Sequence, residues 1–173
     1  KNKFCKPKYP DYKFLFTLHR PENVDNKVKL TEVIKKIEKW STISKFLFPV
    51  HPRTRKNLIK YRLYSKLKLI KNIKVVGPLS YKGFLIQLRN SDCIITDSGG
   101  VQEESSFLGI PCLTLRKNTE RPITLTKGTN HLCNLESISP MLKKVKKKQI
   151  KIPKWDGKTS QRIFNILKKI YKI

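Results

Sequence analysis

The chain is 173 residues long, with 38 % hydrophobic and 29 % charged residues; that is enough for one domain with a real core and excludes a disordered tail. Its formal net charge of +27 raises the possibility of a noncatalytic basic nucleic-acid-binding domain. The excess is mostly Lys spread over nearly every predicted helix, however, and no aromatic-plus-basic module accompanies it, so no specific nucleic-acid partner is expected. No apolar run approaches the roughly 18 residues that span a membrane, so no membrane partner is expected.

Four cysteines (Cys5, Cys93, Cys112, Cys133) are widely spaced, and no Cys or His pair has ligand spacing. Free thiols in a reducing, cytoplasmic compartment and no metal site are the expectation. Lys1 opens no signal-peptide pattern, and with no initiator Met the chain is expected to be a fragment or a processed product.

In chain order, Phe14 to Leu18 is an apolar run that predicts a strand, followed by a polar turn from His19 to Asn26. Val28, Leu30, Val33, Ile34, Ile37 and Trp40 recur at helical spacing. Phe46 to Val50 predicts a second strand, ending at His51-Pro52, and a basic helix is expected from about Thr54 to Ser65. Ile73 to Val76 predicts a third strand, stopped by Gly77-Pro78. Tyr81 to Arg89 reads as a short helix and Asp92 to Thr96 as a fourth strand. Ser98 then begins a helix carrying Val101, Ser105 and Leu108, which Gly109 terminates. Cys112 to Leu115 and Asn130 to Cys133 predict two more strands. Lys143 to Lys151 reads as an exposed connection, and Thr159 to Ile173 as an amphipathic helix with Ile163, Ile166, Leu167 and Ile170 on one face.

Short apolar strands alternating with helices predict an α/β fold, a Rossmann-like three-layer α/β/α sandwich around a parallel sheet. Ligands of such sheets bind at the carboxyl ends of the strands. The polar motifs fall there: His19-Arg20, His51, Pro78 to Tyr81, Asp97 to Gly100, and Arg116. Ser98-Gly99-Gly100 at a strand-to-helix junction suits a diphosphate, because glycines permit close approach and the helix N-terminus presents unpaired N–H groups. Taken alone, the same triplet also fits an ordinary serine-capped helix. Arg116, Glu120 and Arg121 can close the other side of an anionic ligand. His19 can act as acid, base or phosphate contact or belong to an ordinary surface turn, Phe84 can pack on a flat base or in the core, and whichever of Glu103 and Glu104 faces the ligand can accept from ribose hydroxyls. Glu103 and Glu104 also suit the positive end of the helix dipole, and Asp97 can simply orient its turn.

Taken together, HRPENVDN, HPR, PLSYKGF, TDSGGVQEE, LGIPCLTLR and NTERP, with WDGKTSQRI near the end, resemble the C-terminal half of UDP-N-acetylglucosamine 2-epimerases. The resemblance implies a GT-B enzyme of two Rossmann-like domains with the UDP-sugar between them. Residues 1–173 would be the single UDP-binding domain and the N-terminal domain would be absent. It implies that Ser98, Gly99 and Gly100 hold the diphosphate, Glu104 the ribose and Phe84 the uracil, and that Arg121 and a catalytic His19 line the phosphate and sugar. It further implies epimerisation at C2 through elimination and re-addition of UDP, with no cofactor and a homodimeric full-length enzyme; a hydrolysing variant releases N-acetylmannosamine and UDP. The principal carboxylates for C2 proton transfer would lie in the other half. A related GT-B glycosyltransferase half is the third reading. Ile123 departs from the family pattern, where Glu usually follows TERP.

Overall fold

A computed structural model describes residues 6–171. Six parallel strands, β1 (Phe14–Thr17), β2 (Phe46–Pro49), β3 (Ile73–Val76), β4 (Cys93–Thr96), β5 (Cys112–Leu115) and β6 (Asn130–Cys133), form one sheet in the order β3-β2-β1-β4-β5-β6. The order reverses between β1 and β4, where connections leave toward opposite edges and the strand ends splay into a crevice.

The two-residue period of a strand divides the core into two layers. Leu15, Leu47, Ile94 and Cys112 stand in register on one face. There they pack with Leu88 of α5 (Tyr81–Arg89) and Val101 of α6 (Gly99–Leu108). Phe16, Ile95 and Leu113 line the other face. It is covered by α2 (Lys27–Trp40), α3 (Pro52–Lys60), α4 (Tyr64–Leu69) and α8 (Ile138–Leu142), giving the expected three layers. Phe16 meets Phe48 edge-on at 4.6 Å between centroids and lies 6.2 Å from Trp40, geometries that add to the area these rings bury. The apolar stripe of α2 is Leu30, Val33, Ile34, Ile37 and Trp40. Val28, expected on it, is exposed beside the Asn26 cap, whose side chain accepts from the Lys29 N–H at 3.1 Å.

Three departures from the sequence reading have identifiable causes. The turn after β1 contains a short helix, α1 (Pro21–Val24), started by Pro21 and fixed by the buried Val24. The single basic helix expected over 54–65 is two helices, broken at Arg62, which sits at φ 58°. There the Leu63 N–H reaches the Leu58 carbonyl at 2.8 Å and the Arg62 N–H the Ile59 carbonyl at 3.0 Å. This is a Schellman closure made without glycine, and both leucines are buried in the core. α7 (Pro122–Thr126) and α8 are one-turn helices that periodicity could not reveal.

The 143–151 segment is irregular and mostly exposed, as expected. Cys93, Cys112 and Cys133 are buried free thiols, and burial raises the Cys112 thiol to about 11; Cys5 lies outside the described residues. α9 (Thr159–Tyr171) forms, but its apolar stripe is uncovered among the described residues: Ile163, Phe164, Ile166, Leu167 and Ile170 are 45–65 % exposed.

Gly109 closes α6 by the same hydrogen-bond pattern at φ +70°, and a Cβ there would lie 2.0 Å from the Lys148 carbonyl oxygen. Gly109→Ala is expected to destabilise the chain by at least about 1–2 kcal/mol, the cost of a left-handed L-residue, with the backbone overlap adding to it. Urea unfolding measures this, and an unchanged midpoint would contradict the tight packing of residue 148 on the helix end.

Candidate functional site

The carboxyl ends of β1 to β4 open into a cavity of about 390 Å³ lined by His19, His51, Tyr81, Phe84, Ser98, Gly100 and Glu104 among others. It lies at the topological switch, within the size range of small-molecule sites. Five of the seven residues that the resemblance assigns to the site therefore share one cavity: His19, Phe84, Ser98, Gly100 and Glu104.

The floor is the start of α6. Ser98 is extended (φ −82°, ψ 130°) and precedes the helix, but its side chain makes no capping hydrogen bond. The serine-capped alternative is thus not realised. The first N–H groups of a helix lack intrahelical acceptors and carry the positive end of its dipole, so this end of α6 suits an anion. A Cβ on Gly100 would meet nothing within 4 Å, so the residue borders open space. A Cβ on Gly99 would instead approach Glu120 Oε2 at 4.0 Å, which turns Gly99 toward the neighbouring loop.

His19 is held by Asp97, a fully buried carboxylate at the end of β4. Asp97 accepts from the His19 N–H at 3.1 Å, the Arg20 N–H at 2.9 Å and Asn23 Nδ2 at 3.0 Å, and lies 3.2 Å from His19 Nδ1. Burial alone would raise its pKa, yet the donors from His19, Asn23 and Arg20 bring it below the usual carboxylate range. Asn23 also donates to the Leu115 carbonyl at 3.2 Å, tying the β1 turn to the end of β5. His51, the N-cap of α3, faces His19 with ring centroids 5.1 Å apart, and its Nδ1 accepts from the Arg53 N–H at 3.2 Å. Burial, followed by the neighbouring His19, lowers the His51 pKa.

On the opposite wall, burial pushes Glu104 above the ordinary carboxylate range, opposed by a hydrogen bond from the Tyr81 hydroxyl. Gln102, wholly buried one turn into α6, donates to the Ser98 carbonyl at 3.2 Å. Its Oε1 accepts from Asn130 Nδ2 at 3.0 Å and from Thr119, so α6, β6 and the β5–α7 loop are locked together.

The expected arginine wall takes a different form. Arg116 grips Glu120 with two hydrogen bonds at 2.6 and 2.9 Å, which pull Glu120 down to about 2. Arg121 pairs through Nε with Glu103 at 3.1 Å and does not line the cavity. Both guanidinium groups are engaged by carboxylates from neighbouring motif segments. Among the described residues no group of three or more His, Cys, Asp or Glu side chains is arranged to hold a metal ion.

A sequence profile described as UDP-N-acetylglucosamine 2-epimerase matches residues 2–168. The chain belongs to the UDP-N-acetylglucosamine 2-epimerase family. It is similar to the UDP-N-acetylglucosamine 2-epimerase of Methanocaldococcus jannaschii, 44 % identical over 165 residues that cover 91 % of this chain and 44 % of that protein. It also resembles the solved structure of the M. jannaschii UDP-GlcNAc 2-epimerase in complex with UDP-GlcNAc and UDP. The TM-score is 0.82 at 43 % identity, covering 92 % of this chain and 46 % of that one. The UDP-2,3-diacetamido-2,3-dideoxy-D-glucuronate 2-epimerase of Pseudomonas aeruginosa is 37 % identical over 119 residues, 68 % of this chain and 32 % of that protein. The chain thus spans about half the length or less of these relatives.

Within this epimerase-family framework, sequence reasoning missed the hub Gln102, read Asp97 only as orienting its own turn, and undervalued His51. The position of His51 at a strand end, mirroring His19, was the available signal. Nothing in the sequence marked the partners of Asp97, which lie 74 to 78 positions away.

Because the folded-state pKa of Asp97 lies below the ordinary 3.8, its charge contributes stability that is complete above that value and lost as the pH falls through the depressed one. The amide shifts of His19 and Arg20 should titrate together with a midpoint below 3.8, accompanied by a falling melting temperature. A midpoint at or above that value, or none, would remove Asp97 from this role; NMR across the acid range decides it.

Proposed function

We propose that this chain is the nucleotide-binding half of an enzyme that interconverts UDP-GlcNAc and UDP-ManNAc. The observation that carries the reading is the uncapped start of α6, with Gly100 facing open space, in a cavity shared with His19, Phe84 and Glu104. In this reading the diphosphate rests on Ser98, Gly99 and Gly100, the ribose hydroxyls donate to Glu104, and the uracil packs on Phe84. Glu104 is already engaged by the Tyr81 hydroxyl, so a ribose hydroxyl would replace one donor by another. Arg121, through its pair with Glu103, would steady the helix face rather than touch the phosphate.

Epimerisation removes the proton from C2, breaks the C1–O bond and lets UDP depart with that electron pair. Re-addition of the phosphate oxygen at C1 and protonation of C2 on the opposite face complete the exchange. Negative charge grows on the leaving phosphate as the bond breaks. Donors already aimed at that place stabilise it without reorganising, which is how an open helix N-terminus and a histidine accelerate such a step. The groups that move the C2 proton belong to the other half. Two observations support a missing half: the relatives are about twice as long, and the apolar stripe of α9 lies uncovered among the described residues. The reading carries with it a homodimeric full-length enzyme in the cytoplasm, the latter supported by three buried free thiols.

The chain by itself is expected to bind UDP weakly and to give no turnover in a coupled UDP-ManNAc assay; robust turnover would sink the half-enzyme reading. Gly100→Val places a branched side chain where a phosphate would sit. UDP affinity should fall at least about tenfold, roughly 1.4 kcal/mol, with the unfolding midpoint nearly unchanged. Equal UDP affinity in titration calorimetry would remove the phosphate assignment. In the reassembled enzyme, product analysis separates epimerisation from hydrolysis, since only the latter accumulates free UDP and N-acetylmannosamine.

A further inference from the structure

We infer that Asp97 is a positioning residue that fixes the tautomer of His19, so that UDP binding is coupled to uptake of one proton at His19 Nε2. The inference rests on the nucleotide site proposed above. His19 Nδ1 lies 3.2 Å from a carboxylate oxygen, and an ionised carboxylate only accepts hydrogen bonds. Nδ1 therefore carries a hydrogen, and in the neutral ring Nε2 is left as a bare acceptor. A phosphate oxygen is also only an acceptor, so the neutral ring repels it. Protonation turns Nε2 into a charged donor, and the imidazolium then lies between two anions, Asp97 behind and phosphate in front.

The surroundings assign that charge to one ring of the His19–His51 pair. His51 Nδ1 already accepts the Arg53 N–H, so protonating His51 at that nitrogen would set two donors against each other. Burial and the closeness of His19 and Arg53 further disfavour charge on His51, with only the more distant pull of Asp97 favouring it. The other ionisable groups near His19 are Arg20, whose guanidinium pairs with Glu120 at 3.5 Å, and Glu104 and Tyr81, which line the same cavity and interact with each other. Asp97 is the carboxylate that stands against the His19 ring, 3.2 Å from Nδ1.

Asp97→Asn separates positioning from mere support of the turn. The amide oxygen can take the place of Oδ2 and keep the bonds from Arg20 N–H and Asn23. The amide NH₂ then faces His19 Nδ1 and forces the proton onto Nε2, giving a neutral donor toward the phosphate. The test has two readouts on the chain as it stands. First, ¹⁵N NMR of the imidazole ring should find the Nδ1–H tautomer of neutral His19 in the wild type and the Nε2–H tautomer in Asp97→Asn. Second, UDP titration calorimetry at one pH in buffers of different ionisation enthalpy should give net proton uptake for the wild type. That uptake should be largely lost in Asp97→Asn and in His19→Gln, the latter variant reporting any contribution from UDP itself. UDP binding with equal uptake in the wild type and Asp97→Asn, or an Nε2–H tautomer in the wild type, overturns the inference while leaving the nucleotide site standing. No UDP binding by the wild type overturns the nucleotide site and the inference together.

Discussion

A carboxylate with no exposure to solvent sits where three strand ends meet, and the arrangement of the cavity depends on how it is satisfied. Transferring a charge out of water costs several kcal/mol even after relaxation, so a buried aspartate persists only when donors surround it. Asp97 has two backbone N–H groups, an amide and an imidazole, all from the turn that follows β1. The turn cannot drift without leaving the charge exposed to an apolar core. Asp97 directly follows β4 and α6 begins two residues after it, so the interaction that seats His19 also fixes where His19 stands relative to the helix N-terminus. Two functional groups from segments about 80 positions apart become a rigid pair, which is what a site needs if its donors are to be in place before charge develops.

Gln102 performs the matching task on the far side. Its amide joins Ser98, Thr119 and Asn130, so α6 is tied to β6 and to the loop after β5 by one wholly buried polar group. The arginines of that loop are held by Glu120 and Glu103. Asp97, Glu103 and Glu120, three of the acids in the motif segments, therefore serve to position donors and cations.

The sheet was legible because each strand is an apolar run with sharp ends. β3, β5 and β6 fall on the predicted residues, and the gathering of the polar motifs at strand ends followed from topology alone. Arg62 was not legible, because a left-handed arginine is stabilised by the burial of Leu58 and Leu63 on either side of it, a tertiary effect with no local signature. The site divides in the same way. The residues that face the cavity stood out by type and position, since glycine, histidine and serine after a strand are locally unusual. The residues that hold them did not, because the role of Asp97 is defined by donors far away in sequence and that of Gln102 by side chains from three other segments. The charge of Arg116 and Arg121 was legible; that each is neutralised by a nearby glutamate depended on side-chain paths set by the loop.

The net charge of +27 and the cavity act over different ranges. Lysines spread over the surface create a field that attracts any anion, but at physiological salt it decays over about 8 Å and contains no information about shape. Discrimination has to arise where water is excluded and donors are fixed. There the chain offers little mobile positive charge: a helix end, a histidine that can take one proton, a second histidine held neutral by its own backbone bond, and arginines already paired. On the proposed nucleotide reading, such a site would favour a compact diphosphate with a planar group at one end over an extended polyanion. The extended ligand would be neutralised as well by the lysines outside as by anything within, whereas the diphosphate gains from donors that only the cavity aligns.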